Sequence, residues 1–166
     1  MGSLPADFGG RIIYLLQRHG ASLLNGARTT LLIALVGTLI GCIIGFIVGI
    51  IQTIPVEKND NPIKKIMLVH LVLSSYVEVF RGTPMLVQAM FIYYGSSALF
   101  GINMSMWFAA FFIVSINTGA YMAETVRGGI LSIDEGQTEG AKAIGMNHLQ
   151  TMLNVILPQA LRNIMP

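Results

Sequence analysis

Residues 29–54 read TTLLIALVGTLIGCIIGFIVGIIQTI, and no residue between Arg28 and Glu57 carries a charge. A helix needs about 20 apolar residues to cross the hydrocarbon core of a bilayer, so this stretch predicts one membrane span. It carries Gly37, Gly41, Gly45 and Gly49 at a strict spacing of four. That spacing puts all four on one helix face, where a second backbone can approach closely. Packing within one helix bundle is the favoured use of such a stripe; a subunit interface or the wall of a path is the alternative. Cys42, the only cysteine, lies in the same run and reads as a small packing residue, so neither a disulfide nor a cysteine metal site is expected.

The rest of the chain agrees with a membrane protein. Its residues are 54% hydrophobic and 11% charged, against roughly a quarter charged in an average soluble domain. The basic residues are scattered, which does not suit a nucleic-acid surface. A second uncharged interval runs from Arg81 to Glu124. The N-terminus lacks the pattern of a cleavable signal peptide. Residues 4–19 predict an amphipathic interfacial helix, with Leu4, Phe8, Ile12, Leu15 and His19 on one stripe and Arg11 and Arg18 on another face. An extension of the first span is the competing reading.

A polar loop with two prolines, PVEKNDNPIKK, covers residues 55–65. Residues 66–98 read as one membrane helix broken at Arg81-Gly82-Thr83-Pro84. Residues 99–105 form an uncharged turn and residues 106–126 a third span. With three spans, the positive-inside rule puts Lys58, Lys64, Lys65 and everything after Arg127 in the cytoplasm, with the N-terminus outside.

From Arg127 the chain turns polar: RGGILSIDEGQTEGAKAIGMNHLQTMLNVILPQALRNIMP. Two short helices are expected. Ser132 and Glu135 form a capping box for the first, and Gly145 is placed to end it. Gly136, Gly140 and Ala143 give that helix a small-residue face. Asn147 and Gln150 cap the second, Met146, Leu149, Leu153 and Ile156 form its apolar stripe, and Pro158 stops it. A short, stiff helix–turn–helix of this kind suits docking to a partner.

Glu139-Gly140-Ala141, three residues, Gly145, nine residues, then Val155-Ile156-Leu157-Pro158 resembles the EAA loop of ABC importer permeases. Gly140 stands where the family has Ala, and Val155 where it has Ile. The glycine weakens helix propensity by roughly 1 kcal/mol. Further blocks resemble the polar amino acid branch: Phe80-Arg81-Gly82-Thr83-Pro84, Tyr93-Tyr94-Gly95, Gly119-Ala120-Tyr121-Met122-Ala123-Glu124, Arg127-Gly128-Gly129-Ile130, and Gly136-Gln137-Thr138-Glu139. The resemblance runs from about Gly26 to the end of the sequence.

It implies an all-α integral membrane protein, a permease bundle of three spanning helices plus a cytoplasmic coupling-helix loop over residues 127–166, in the bacterial cytoplasmic membrane. It also implies docking of Glu139, Gly140, Ala141, Gly145, Val155, Leu157 and Pro158 into a cytoplasmic ATP-binding subunit dimer. The other implied partners are a second permease subunit, an external solute-binding protein and a polar amino acid substrate. Permeases of this branch continue for two more spanning helices, so the expected chain is one lacking that part. No cofactor is implied. The absence of a GxxxxGK[ST] phosphate loop fits a subunit that takes its ATPase from a partner.

Polar residues in the apolar spans are the candidates for a substrate path: Gln88, Asn117, Tyr121 and Glu124. Glu124 is also placed to pair with Arg127, and Glu78 with Arg81, each three residues on. His70 and His148 are isolated, so no metal site is expected. An ATP-independent secondary transporter or channel is the alternative; it calls for carboxylates in mid-span, whereas Glu78 and Glu124 fall near span ends. A membrane-embedded enzyme would need a His/Glu/His or Ser/His cluster, and the sequence has none.

Overall fold

The computed structural model describes residues 7–54 and 63–164. Most of the polar loop expected at 55–65 lies outside those residues. The described part is helical: α1 (Phe8–Gln52), α2 (Ile63–Gly82), α3 (Met85–Phe100), α4 (Met106–Leu131), α5 (Glu135–Ala143), α6 (His148–Thr151), a π-helical turn (Met152–Ile156) and α7 (Leu157–Ile164). Helices α1 and α4 are long and apolar enough to cross a membrane, and α3 is a shorter apolar helix.

The first difference from the sequence reading is in α1. It runs unbroken from Phe8, where Asp7 caps it by accepting from the Gly10 amide, to Gln52. Residues 8–19 and 29–52 therefore belong to one element, and residues 4–6 of the expected interfacial helix lie outside the described residues. No proline interrupts the stretch between them, and in the structure the helix runs through Gly20 and Gly26.

The glycine face of α1 lies on α4, and all four glycines are buried. A Cβ added at Gly37 would fall 2.7 Å from Val114 Cγ1, and at Gly41 2.6 Å from Thr118 Cβ. One at Gly45 would fall 2.5 Å from the Gly119 carbonyl oxygen, and at Gly49 2.7 Å from that of Ala123. The partners advance along α4 as the glycines advance along α1, so the two helices are parallel. The chain between them must then return across the layer once. Helices α2 and α3 make that return together. Tyr76 donates to the Ile116 carbonyl at 2.6 Å, and Gln52 to Ser74 at 3.5 Å, so the middle of α2 lies beside the end of α1 and its second half climbs to the middle of α4. The proline break follows, and α3 completes the crossing. Its end is set by Gly101 in the left-handed region, and Ser105 caps α4 by accepting from the Phe108 amide.

Helix α4 extends to Leu131, five residues past the span end expected at 126. That extension reassigns a cap. Ser132 closes α4 by donating to the Gly129 carbonyl at 2.7 Å, and Asp134, not Ser132, caps α5 by accepting from the Gly136 amide at 2.8 Å. A carboxylate there also meets the positive end of the helix dipole.

The second correction concerns Pro158, which does not stop a helix. The π-helical turn before it carries an i→i+5 bond from Leu157 N–H to the Met152 carbonyl. This wider turn accommodates a residue with no N–H, and the helix runs on to Ile164. The buried side is displaced as well. Leu149 and Leu153 stay exposed, while Met152, Ile156, Leu157 and Ala160 pack on Val126 and Ile130 of α4. The hairpin is thus fixed to the end of α4 by an apolar cluster that also takes in Phe46 and Ile50 of α1.

Candidate functional site

Two features stand out: a polar recess on the bundle beside the helix break, and the hairpin α5–α7.

The break leaves carbonyls at the end of α2 without helical partners, because Pro84 has no N–H to give. Gln88 fills that role from the first turn of α3. Its Nε2 lies 2.9 Å from the Phe80 carbonyl, 2.9 Å from the Thr83 carbonyl and 2.6 Å from Thr83 Oγ1. Thr83 in turn donates to the Val79 carbonyl at 2.7 Å. Asn117 of α4 donates to Gln88 Oε1 at 3.1 Å and reaches the Phe80 carbonyl at 3.4 Å. Gln88 is buried, at 8% exposure, and its amide is committed to this staple. The sequence reading set Gln88 and Asn117 beside Tyr121 and Glu124 as path-lining groups; the structure joins the first two to each other and to backbone. The signal available in the sequence was an amide four residues after Pro84, within reach of the carbonyls that a proline break orphans.

Toward the end of the bundle that carries the hairpin, Gln52, Ser74, Val77, Glu78, Arg81, Glu124 and Arg127 line an open recess between α1, α2 and α4. Glu124 binds Arg127 through both oxygens, with Nη2 at 2.7 Å and Nε at 3.1 Å. Arg81 approaches the same carboxylate at 3.8 Å and lies over the Tyr121 ring, 5.8 Å from its centre. The pairing expected between Glu78 and Arg81 is not formed. Arg81 turns to Glu124 across the helix interface, and Glu78 stays exposed with no ion pair among the described residues. The recess thus presents two guanidinium groups and two carboxylates, so it can meet charges of either sign, and the Tyr121 ring lies beside it against Arg81.

The hairpin ends its first helix as Gly145 predicts. Gly145 adopts φ +87°, its amide bonds the Lys142 carbonyl at 3.0 Å, and the Met146 amide bonds that of Ala141 at 3.1 Å. This is a Schellman closure, and it needs the left-handed conformation that glycine adopts without strain. Asn147 and Gln150 cap the next helix reciprocally, each side chain accepting from the other's amide at 2.9 Å. Of the EAA-loop positions, Ala141 and Leu157 are buried, Val155 is half-buried, and Glu139, Gly140, Gly145 and Pro158 are exposed. Glu139 borders a recess with Thr53, Ile130, Thr138, Lys142 and Met152 and has no ion pair among the described residues. A Cβ at Gly140 would meet nothing within 4 Å.

Residues 68–166 match the family model of the binding-protein-dependent transport system inner membrane component. The chain belongs to this family. The match takes in the described hairpin and every residue lining the recess except Gln52. The chain is 39% identical over 104 residues to a putative glutamine transport system permease protein of Rickettsia bellii, across 63% of this chain and 48% of that one. It is 43% identical over 91 residues to an arginine transport system permease protein of Bacillus subtilis, across 55% and 42%. It therefore spans about half the length of these relatives. The crystal structure of an amino acid ABC transporter with histidines superposes with a TM-score of 0.76 at 34% identity, covering 96% of this chain and 67% of that one. The family is one of membrane transport subunits, and the all-α fold is that of an ABC permease.

Proposed function

We propose that this permease chain forms the membrane-spanning part of an ATP-driven importer of polar amino acids in a bacterial cytoplasmic membrane. It would couple ATP hydrolysis by a separate subunit dimer to substrate movement. The partners implied are that dimer, a second permease subunit and a solute-binding protein outside the cell. The relatives, described as glutamine and arginine transport permeases, support the substrate class.

The observation that carries the reading is the way the hairpin is built. Its outer helix leaves Glu139 exposed and unpaired among the described residues, while its second half is anchored in the cluster of Met152, Ile156, Leu157 and Ala160 on α4. A force applied at α5 therefore reaches α4 through packed side chains. Helix α4 bears Glu124, which lines the polar recess with Arg81 and Arg127, and Tyr121, whose ring lies against Arg81. Groups of both signs suit a zwitterion, so Tyr121 and Glu124 are the path residues of this account, with Gln88 and Asn117 holding the break above them. The test is Glu139→Arg: capture of the ATP-binding subunit should be lost while membrane insertion is retained. Undiminished capture would remove the docking assignment.

A further inference from the structure

The transport reading leaves the first half of α1 unused. The large apolar groups of residues 8–25 stand open: Phe8, Ile12, Ile13, Leu15, Leu16, Leu23 and Leu24 are between 43% and 77% exposed. At about 1.5 Å per residue, this stretch is about 27 Å long. The end of the bundle is marked nearby, where Asn25, Arg28 and Leu32 of α1 border a shallow recess with Trp107 from the first turn of α4. An arginine and a tryptophan at one level are the groups that settle at a membrane surface. Residues 8–25 therefore extend past that surface. Such a length of bare apolar face is not stable in water.

The face is sharply divided. At 100° per residue, these apolar side chains fall within one half of the helix circumference, with His19 among them, and Arg11, Tyr14, Arg18, Asn25 and Arg28 fall in the other. Asp7 is the only acidic residue before Glu57, so the polar half is cationic. A helix with basic groups on one side and aromatic and aliphatic groups on the other lies in the plane of a lipid surface, its charges favouring anionic headgroups. A bend between the span and that surface has a place. A Cβ at Gly26 would meet nothing within 4 Å, and Thr30 donates back to the Gly26 carbonyl at 3.0 Å, a bond that tends to bend helices.

We propose that residues 8–25 bend at Gly26 and lie on an anionic lipid surface, apolar half inward and arginines at the headgroups. This is independent of the transport reading, because it concerns no residue of the recess or the hairpin. The test uses the full chain with Cys42→Ala, spin-labelled at Leu16→Cys on the apolar half or at Ala21→Cys on the polar half, in vesicles of phosphatidylcholine with phosphatidylglycerol. The Leu16→Cys label should be relaxed several-fold more by oxygen than by an aqueous nickel chelate, and the Ala21→Cys label the reverse. Arg11→Gln with Arg18→Gln, or vesicles of phosphatidylcholine alone, should reduce that contrast. Both labels equally open to the chelate would mean a helix standing in water. Both shielded from oxygen and chelate would mean a protein partner. A contrast unchanged without anionic lipid or without the arginines would remove the charge recognition. Each of these results overturns the proposal.

Discussion

Asn117 in the middle of α4 donates to the Gln88 side-chain carbonyl at 3.1 Å, across the point where α2 gives way to α3. Through that bond, and a longer one from Asn117 to the Phe80 carbonyl, the helix that bears Tyr121 and Glu124 is tied to the helix break. Replacing Gln88 by Met keeps the volume and removes the staple. The Thr83 carbonyl then loses its partner, and the Phe80 carbonyl and the Asn117 amide keep only their 3.4 Å contact with each other. Leaving a buried polar group unsatisfied costs about 1–3 kcal/mol. Gln88→Met should therefore lower the unfolding midpoint in detergent, and Gln88→Glu should do nearly as much, since a carboxylate cannot donate to carbonyls. An unchanged midpoint for both would show that the staple contributes nothing.

The α1–α4 contact makes a sharper contrast. A Cβ at Gly45 would lie 2.5 Å from the Gly119 carbonyl oxygen and 2.8 Å from the Ala123 nitrogen, both backbone atoms that cannot rotate away. Gly45→Ala should destabilise by about 1–3 kcal/mol through overpacking. Gly20→Ala, on the same helix with nothing within 4 Å, should be neutral or stabilise by up to about 1 kcal/mol from helix propensity. Thermal unfolding of the two variants in one detergent compares them directly.

The span over residues 29–54 and the glycine stripe within it were legible because both signals are local: an uncharged run and a period of four. The Gly145 stop and the Asn147–Gln150 cap were legible for the same reason, since their partners lie within three or four residues. The misreadings all involve tertiary choices. Ser132 and Asp134 are both good caps, and the length of α4 decides between them. Pro158 reads as a terminator unless the π-helical turn ahead of it is known. Arg81 has Glu78 on its own helix face, yet Glu124 on the neighbouring helix takes it. The bond between Gln88 and Asn117, both read as path-lining candidates, was not legible because it joins residues 29 positions apart.

Two glycines of the hairpin should respond oppositely to alanine. Gly145 sits at φ +87°, where a side chain costs about 1–2 kcal/mol. Gly145→Ala should loosen the turn between α5 and α6, seen as faster hydrogen exchange at the Ile144–Met146 amides and weaker capture of the ATP-binding subunit. Gly140→Ala has open space at its Cβ and should slow exchange in α5 while leaving capture intact. Equal behaviour of the two would contradict the Schellman closure as the element that sets the hairpin.

The account rests on α5–α7 facing the compartment that holds ATP. Ala143 is exposed on α5, near Glu139, and Cys42 is the sole native thiol. In the Cys42→Ala background, an Ala143→Cys chain should react with a membrane-impermeant maleimide in inverted membrane vesicles and stay unlabelled in intact cells. Labelling from outside intact cells would place the hairpin on the wrong side of the membrane and contradict its role as the coupling element.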